Sequence, residues 1–322
     1  MAFGSFLAGS SPEGGGAVAF PVFTKVLDIE APVARSFGLM IQAVGMTSAS
    51  AFILAKRRPI DVRATVLGGL GGTVGLIIAY FTLMDTDQAF RAPIVPAAWV
   101  KVTFTLLLAT MSWIMIAALR SKDGPPSIDM MWNKRTTVGL LLAASLGGMF
   151  SAMTGTGVNV LLFLFVVSLC GTRASIAVPS SIIAMTIVSI VGFAFFGLLE
   201  GQLSIGLDSA GLVTSVGGEV VPGLDAGRFD LFGLWLAAVP IVVWGAPIGS
   251  LVIARVREDR LVAFIALLAA VEVVTTLVLV KQIREEPPLL VAVIGGVAAI
   301  PFLVSSLGRA RHRLLGLDAH PR

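Results

Sequence analysis

Apolar residues run in long blocks separated by short polar clusters, at roughly 33–55, 62–84, 97–119, 173–199, 229–254, 261–280 and 288–306. Each block is close to the ~20 residues that a helix needs to cross the hydrocarbon core of a bilayer, so the pattern predicts seven transmembrane helices. Two shorter stretches, 136–153 and 157–171, flank the segment Met153-Thr154-Gly155-Thr156-Gly157. A similar stretch, 17–27, follows Ser11-Pro12-Glu13-Gly14-Gly15-Gly16, with only Met1–Ser10 ahead of it. The first arm is therefore short, or the chain starts within it.

The two glycine-broken segments hold corresponding places in the two halves. An interrupted helix in hydrocarbon leaves backbone N–H and C=O groups without partners, so such chain persists only where protein or a polar cavity satisfies it. Paired interruptions of this kind point to the binding site of a transporter built from a duplicated fold.

Composition sets the class. With 56% hydrophobic and 13% charged residues, and mean hydropathy +0.94, a soluble domain with a wetted surface is excluded. The excess of basic residues does not indicate nucleic acid, because Lys and Arg are scattered through short loops rather than gathered on one face. Their distribution instead sets orientation, since basic residues accumulate on the cytoplasmic side. Placing Lys56–Arg63, Arg120–Arg135, Arg173, Arg255–Arg260 and the tail with Arg309, Arg311 and Arg313 on one side gathers most of the 23 Lys and Arg there. The acid-rich segments Asp85–Asp87 and Glu200–Asp230 then lie outside, and the C-terminus is cytoplasmic. No cleavable signal peptide is evident, because Met1–Gly9 lacks a basic start and a long apolar core. The single Cys170 reads as a small buried hydrophobe and excludes an internal disulfide.

This orientation makes the second broken pair leave and return on the cytoplasmic side and the first open outward. The expected fold is an all-α polytopic membrane protein of two inverted repeats. Each is a Gly-broken, re-entrant-like helix hairpin followed by three transmembrane helices, and one extra C-terminal helix completes the chain. The expected division is 1–120 for the N-terminal repeat, 121–135 for a cytoplasmic linker, 136–281 for the C-terminal inverted repeat, and 282–322 for the extra helix and basic tail. Gly71-x3-Gly75 and Gly245-x3-Gly249 occupy matching spans, a spacing that permits close helix contact.

Several motifs carry a family resemblance across nearly the whole chain. They are Gly14-Gly15-Gly16 with Ala17–Phe23, Ala34-Arg35-Ser36, and Gln42-x2-Gly45-Met46-Thr47-Ser48-Ala49-Ser50; in the second half, Gly155-Thr156-Gly157, Ala177-x2-Ser180-Ser181 and Ser189-x2-Gly192. The chain resembles the sulfite exporter TauE/SafE family, with Gly-Thr-Gly standing where a glycine run is typical. The resemblance implies transport of small sulfur-containing anions, such as sulfite or organosulfonates, across the bacterial inner membrane.

The breaks themselves favour an anion, since a helix that starts after a Gly-rich turn aims N–H groups and a positive dipole end at the gap. Gly14, Gly15, Gly16, Thr154, Gly155, Thr156, Gly157 and Asn159 are therefore candidate substrate-binding residues. Gln42, Thr47, Ser48, Ser180 and Ser181 on the following helices join them, with the alternative that each serine or threonine bonds its own helix backbone. Lys25, Arg35 and Arg173 could funnel anions or anchor the interface by snorkelling.

Two acidic residues, Glu13 and Glu272, sit where a carboxylate costs about 3 kcal/mol and are candidates for proton coupling; structural roles as a cap or a buried pair are the alternatives. His312 and His320 lie in the tail, no metal-ligand motif is present, and no cofactor is expected. Expected partners are a small sulfur-containing anion and the lipid bilayer, with no nucleic acid; a homo-oligomer is left open. A secondary carrier working by alternating access is the leading expectation. An anion channel is the main alternative, and a membrane-embedded enzyme a weaker one.

Overall fold

The computed structural model describes residues 1–12, 14–27, 29–85, 92–120, 132–207, 213–216, 219–220, 229–253, 255–256, 258–279 and 285–315. The protein is an all-α polytopic membrane protein. Five helices are long and apolar enough to cross a membrane: α3 (Ala31–Ala55), α4 (Val62–Thr82), α6 (Lys134–Thr154), α8 (Ala174–Gly192, continued in π geometry to Leu199) and α9 (Leu231–Ile253). Three further helices, α5 (Ala97–Arg120), α10 (Glu258–Leu279) and α11 (Pro287–Leu315), complete the long elements. The last helix runs beyond its expected end at 306, through Arg309, Arg311 and Arg313, so these basic residues are helical rather than part of a loose tail.

Helix ends follow local chemistry. Asn133 Oδ1 accepts from the Thr136 N–H at 2.8 Å and the Thr136 hydroxyl accepts from the Asn133 N–H at 2.9 Å, a reciprocal cap that starts α6. The α6 helix stops at Gly155, whose φ of +83° suits glycine alone at little cost. The Asp61 carboxylate caps α4 through the Ala64 N–H at 2.9 Å.

Each half opens with a hairpin of two arms. The first comprises α1 (Ala2–Ser10) and α2 (Gly16–Pro21), the second α6 and α7 (Val158–Leu164). Both second arms finish in a π turn, Val22–Val26 and Phe165–Leu169. The chain leaves both turns alike, with Ile29 N–H on Phe23 C=O at 2.8 Å and Thr172 N–H on Val166 C=O at 3.2 Å.

Packing pairs each first arm with the other half. The α1 helix lies on α9 and α6 lies on α4, while α3 meets α8, α3 meets α9, α4 meets α8, and α5 meets α10. Glycine allows these approaches: a Cβ on Gly75 would fall 1.8 Å from the Ser145 carbonyl oxygen, and one on Gly249 would fall 2.0 Å from that of Phe6. The matching sites on the arms, Gly148 and Gly9, would clash at 1.9 Å with Gly72 O and at 1.7 Å with Ala246 O.

Outward faces are apolar. On α4, Val66, Leu70, Val74 and Ile78 recur every fourth residue and are exposed; such a stripe would be costly in water and suits lipid. Polar side chains point inward instead, with Arg35, Gln42, Thr154, Thr156 and Asn159 all buried. The long segment after α8 contains short antiparallel strands, Gly206–Leu207, Val213–Val216, Glu219–Val220 and Phe229–Asp230, in place of an unstructured loop.

Candidate substrate gap at the two helix breaks

The second break is held by its own hydroxyls. Thr154 Oγ1 lies 3.1 Å from Phe150 C=O and 2.6 Å from Thr156 C=O, and the Thr156 N–H lies 3.4 Å from Thr154 Oγ1. Ser151 Oγ accepts from the Val158 N–H at 3.2 Å, which uses one of the donors expected at the start of α7. A Cβ on Gly157 would meet Gly147 O at 2.7 Å, so this glycine serves close packing against α6 rather than room for a ligand. Gly15 likewise backs onto α1, 3.2 Å from Gly4 O by the same measure, and Gly16 opens α2.

The two breaks meet across α3. Gln42 Nε2 donates to Gly155 C=O at 2.7 Å, joining α3 to the second break. Gly38, one turn earlier, would place a Cβ 3.7 Å from the Gly155 Cα. Asn159 Oδ1 accepts from Thr156 Oγ1 at 3.1 Å. The other amide atoms, Gln42 Oε1 and Asn159 Nδ2, are buried and have no hydrogen-bond partner among the described residues. Both face Gly14 of the first break: a Cβ built there would lie 2.9 Å from Asn159 Nδ2 and 3.4 Å from Gln42 Oε1. Gly14 has φ +70°. Ser10, at the end of α1, is also fully buried, and its hydroxyl has no partner among the described residues. Leaving a buried polar group unsatisfied costs about 1–3 kcal/mol, and Gln42, Asn159 and Ser10 concentrate such groups beside the two chain breaks.

A cavity of about 80 Å³ runs along the first hairpin as far as Gln42, lined by Gly4, Ala8, Gly15, Phe23 and Ile41 among others. Its wall is largely apolar, with Ser5 and Gln42 as its polar side chains.

Other sequence candidates lie elsewhere. Thr47 is exposed and bonds Ala43 C=O at 2.5 Å, and Ser48 bonds Gly45 C=O at 2.7 Å. Ser180 bonds Ile176 C=O and accepts the Asp61 N–H at 2.9 Å, so it joins α8 to the start of α4. Ser181 bonds Val178 C=O at 2.9 Å. For these four, the helix-backbone bond typical of membrane serine and threonine is the observed one. Ser189 is buried, and its hydroxyl has no partner among the described residues. Glu13 lies outside the described residues, and so do the side chains of Glu272 and Lys25.

Arg35 neither snorkels nor faces a mouth. It is fully buried, its guanidinium carbon 4.1 Å from the Phe196 ring centroid. Nη2 donates to Gln202 Oε1 at 3.1 Å, Ser36 Oγ also bonds that oxygen, and Nη1 reaches Met84 Sδ at 3.5 Å. Nearby, the Tyr80 hydroxyl bonds the Glu200 carboxylate. The backbone of Arg35 touches the second break, since a Cβ on Gly155 would lie 2.8 Å from the Arg35 carbonyl oxygen. A buried cation thus stands on α3 about two turns before Gln42. On the neighbouring α5, Lys101 Nζ donates to Thr24 C=O at 3.3 Å, at the end of the first hairpin. At the outset of α3, burial pushes the Glu30 carboxyl above its usual range.

The sequence model of the family described as Sulfite exporter TauE/SafE matches residues 1–274, which takes in both breaks and every residue of the gap. The chain belongs to the sulfite exporter TauE/SafE family. It is therefore a multi-pass membrane protein of a transporter family for sulfur anions, and members of the TauE/SafE family are transporters rather than enzymes. No curated protein and no solved structure matches the chain. Of the sequence candidates within the TauE/SafE match, the structure brings Gln42 and Asn159 together at Gly14. Ser10, a serine ending an apolar arm next to a Gly-rich turn, was not among those candidates.

Proposed function

We propose that the chain is a secondary carrier that moves sulfite or a small organosulfonate across the bacterial inner membrane by alternating access around the gap at the two breaks. The carrying observation is the meeting of Gly14 with Gln42 Oε1 and Asn159 Nδ2, both buried and without a hydrogen-bond partner among the described residues, at a point where both halves contribute chain. Membership of a sulfite exporter family supplies the substrate class.

The two halves act as inverted repeats, 1–120 and 136–281. Supporting this is the reciprocal packing of α1 on α9 and α6 on α4, with GxxxG glycines at the contact in each case. An odd number of crossings per repeat inverts the second relative to the first, and transporters of that architecture bind at the repeat interface. A cytoplasmic C-terminus is part of the proposal and is supported by the excess of Lys and Arg in the loops assigned inside. Glu13, beside the gap in sequence, and Glu272, within α10, are the groups proposed to couple transport to protons.

Uptake by purified protein in proteoliposomes tests the reading. Saturable accumulation of sulfite or a sulfonate, driven by an imposed pH gradient and with sulfate as a contrasting anion, is the expected result. Passive flux far above carrier turnover, with no accumulation, would replace the carrier with a channel.

A further inference from the structure

The gap offers a ligand two unlike partners. Asn159 Nδ2 is a donor; Gln42 Oε1 is an acceptor; both side chains are buried, and neither atom is bonded among the described residues. The Gln42 amide cannot be turned round, because its nitrogen is the donor to the Gly155 carbonyl at 2.7 Å and an oxygen there would repel it. Asn159 has its oxygen on the Thr156 hydroxyl at 3.1 Å. Reversing Asn159 would only present a second acceptor.

An oxyanion with no hydrogen of its own has lone pairs alone to offer. It would gain the Asn159 N–H but press an oxygen against Gln42 Oε1, leaving that acceptor buried, unsatisfied and repulsive. We infer that the ligand of this gap is a sulfur oxyanion that carries its own O–H or N–H, given to Gln42 Oε1 while one of its oxygens accepts from Asn159 Nδ2. Hydrogensulfite fits and the sulfite dianion does not; a sulfonate with a hydroxyl or amino group fits better than one with a plain hydrocarbon end. Gly14 lets the first break lie against both amides, since a Cβ there would fall 2.9 Å from Asn159 Nδ2 and 3.4 Å from Gln42 Oε1. This inference rests on the transport reading and narrows its substrate.

Equilibrium binding to the full-length protein separates the two claims. Hydroxyethanesulfonate and propanesulfonate are similar in size and both stay monoanionic through neutral pH, so they differ at one end only in the presence of a hydroxyl donor. Hydroxyethanesulfonate should bind about tenfold or more tightly, the order expected when a buried acceptor is satisfied rather than left bare. Sulfite affinity should fall as pH rises through neutrality and the dianion replaces hydrogensulfite. In Gln42→Met, which has no such acceptor, the ratio of the two sulfonates should approach one. Asn159→Ala should weaken both sulfonates alike. Equal affinity of wild-type protein for the two sulfonates would overturn the inference and leave the transport reading standing. Failure of all three anions to bind would sink both. Should Gln42→Met not fold, the wild-type sulfonate ratio decides by itself.

Discussion

Arg35 and Gln202, 167 residues apart in sequence, are joined by a 3.1 Å hydrogen bond inside the protein, with the guanidinium carbon 4.1 Å from the centre of the Phe196 ring. The contact ties α3, which bears Gln42, to the segment that follows α8. It also holds a positive charge on the helix whose backbone meets the second break at Gly155.

Removing that charge should affect stability and binding separately. Arg35→Ala leaves a hole under Phe196 and takes a donor from Gln202, so a loss of about 3–5 kcal/mol is expected. Arg35→Met fills most of the volume and should fold close to wild-type. Seven residues of helix separate Arg35 from Gln42, about 10 Å, and at an effective dielectric of about 20 a full charge at that range contributes about 1.7 kcal/mol to an anion. Glu200, which acts on Arg35 electrostatically, offsets part of this field. Anion affinity in Arg35→Met should therefore fall by up to about tenfold. Thermal unfolding and titration of both variants check this, and an unchanged affinity in the Met variant would remove Arg35 from anion capture.

The reciprocal glycine contacts predict matched damage in the two halves. Gly75→Val and Gly249→Val each drive a side chain into a carbonyl oxygen, at 1.8 Å from Ser145 O and 2.0 Å from Phe6 O, and no rotamer avoids a Cβ clash. Each should cost about 3 kcal/mol or more and give aggregated protein on size-exclusion chromatography in detergent. Gly295→Ala is the control, since nothing lies within 4 Å of the added carbon and helix propensity favours alanine. Monodisperse protein from either valine variant would show that α1 or α6 does not sit as close as described.

Orientation can be read directly. A reporter fused after Arg313 should be cytoplasmic, and one inserted between 208 and 212 should be external, because loop charge is the main determinant of sidedness. Both reporters on one side would contradict the inversion of the two repeats.

Much of the architecture was legible because hydrocarbon imposes simple rules. Span length, the glycine breaks and the Asn133 and Gly155 caps are local signals, and the helices lie within a few residues of the blocks that predicted them, α11 excepted. The extension of α11 was missed because Arg309–Arg313 ends the apolar block without ending the helix: nothing there breaks it, and three arginines are good helix formers. Site residues were harder to place, since their roles depend on partners more than a hundred positions away. Gln42 finds Gly155, Ser180 finds Asp61, and Arg35 finds Gln202. A hydroxyl on a membrane helix has a ready acceptor one turn back, and Thr47 and Ser48 make that bond, the alternative named for them from sequence. The glycines divided in a way that sequence does not reveal: Gly15 and Gly157 face neighbouring backbone, and Gly14 faces the gap.

Gly14→Ala tests that division. Its φ of +70° adds about 1–2 kcal/mol of strain for any residue with a Cβ, which a protein of ordinary stability tolerates. The new methyl would fall 2.4 Å from Met46 Cε, the far end of a flexible side chain that can move aside, and 2.9 Å from Asn159 Nδ2, which is held by Thr156. The fold should therefore survive while the gap fills, with anion binding reduced about tenfold or more. Gly201→Ala separates strain from occlusion, because Gly201 has φ +67° but lies next to Gln202, beyond the end of α8. It should lose a similar amount of stability and keep its affinity. Equal binding losses in the two variants would trace the effect to backbone strain, and unchanged binding in Gly14→Ala would place the ligand somewhere other than between Gln42 and Asn159.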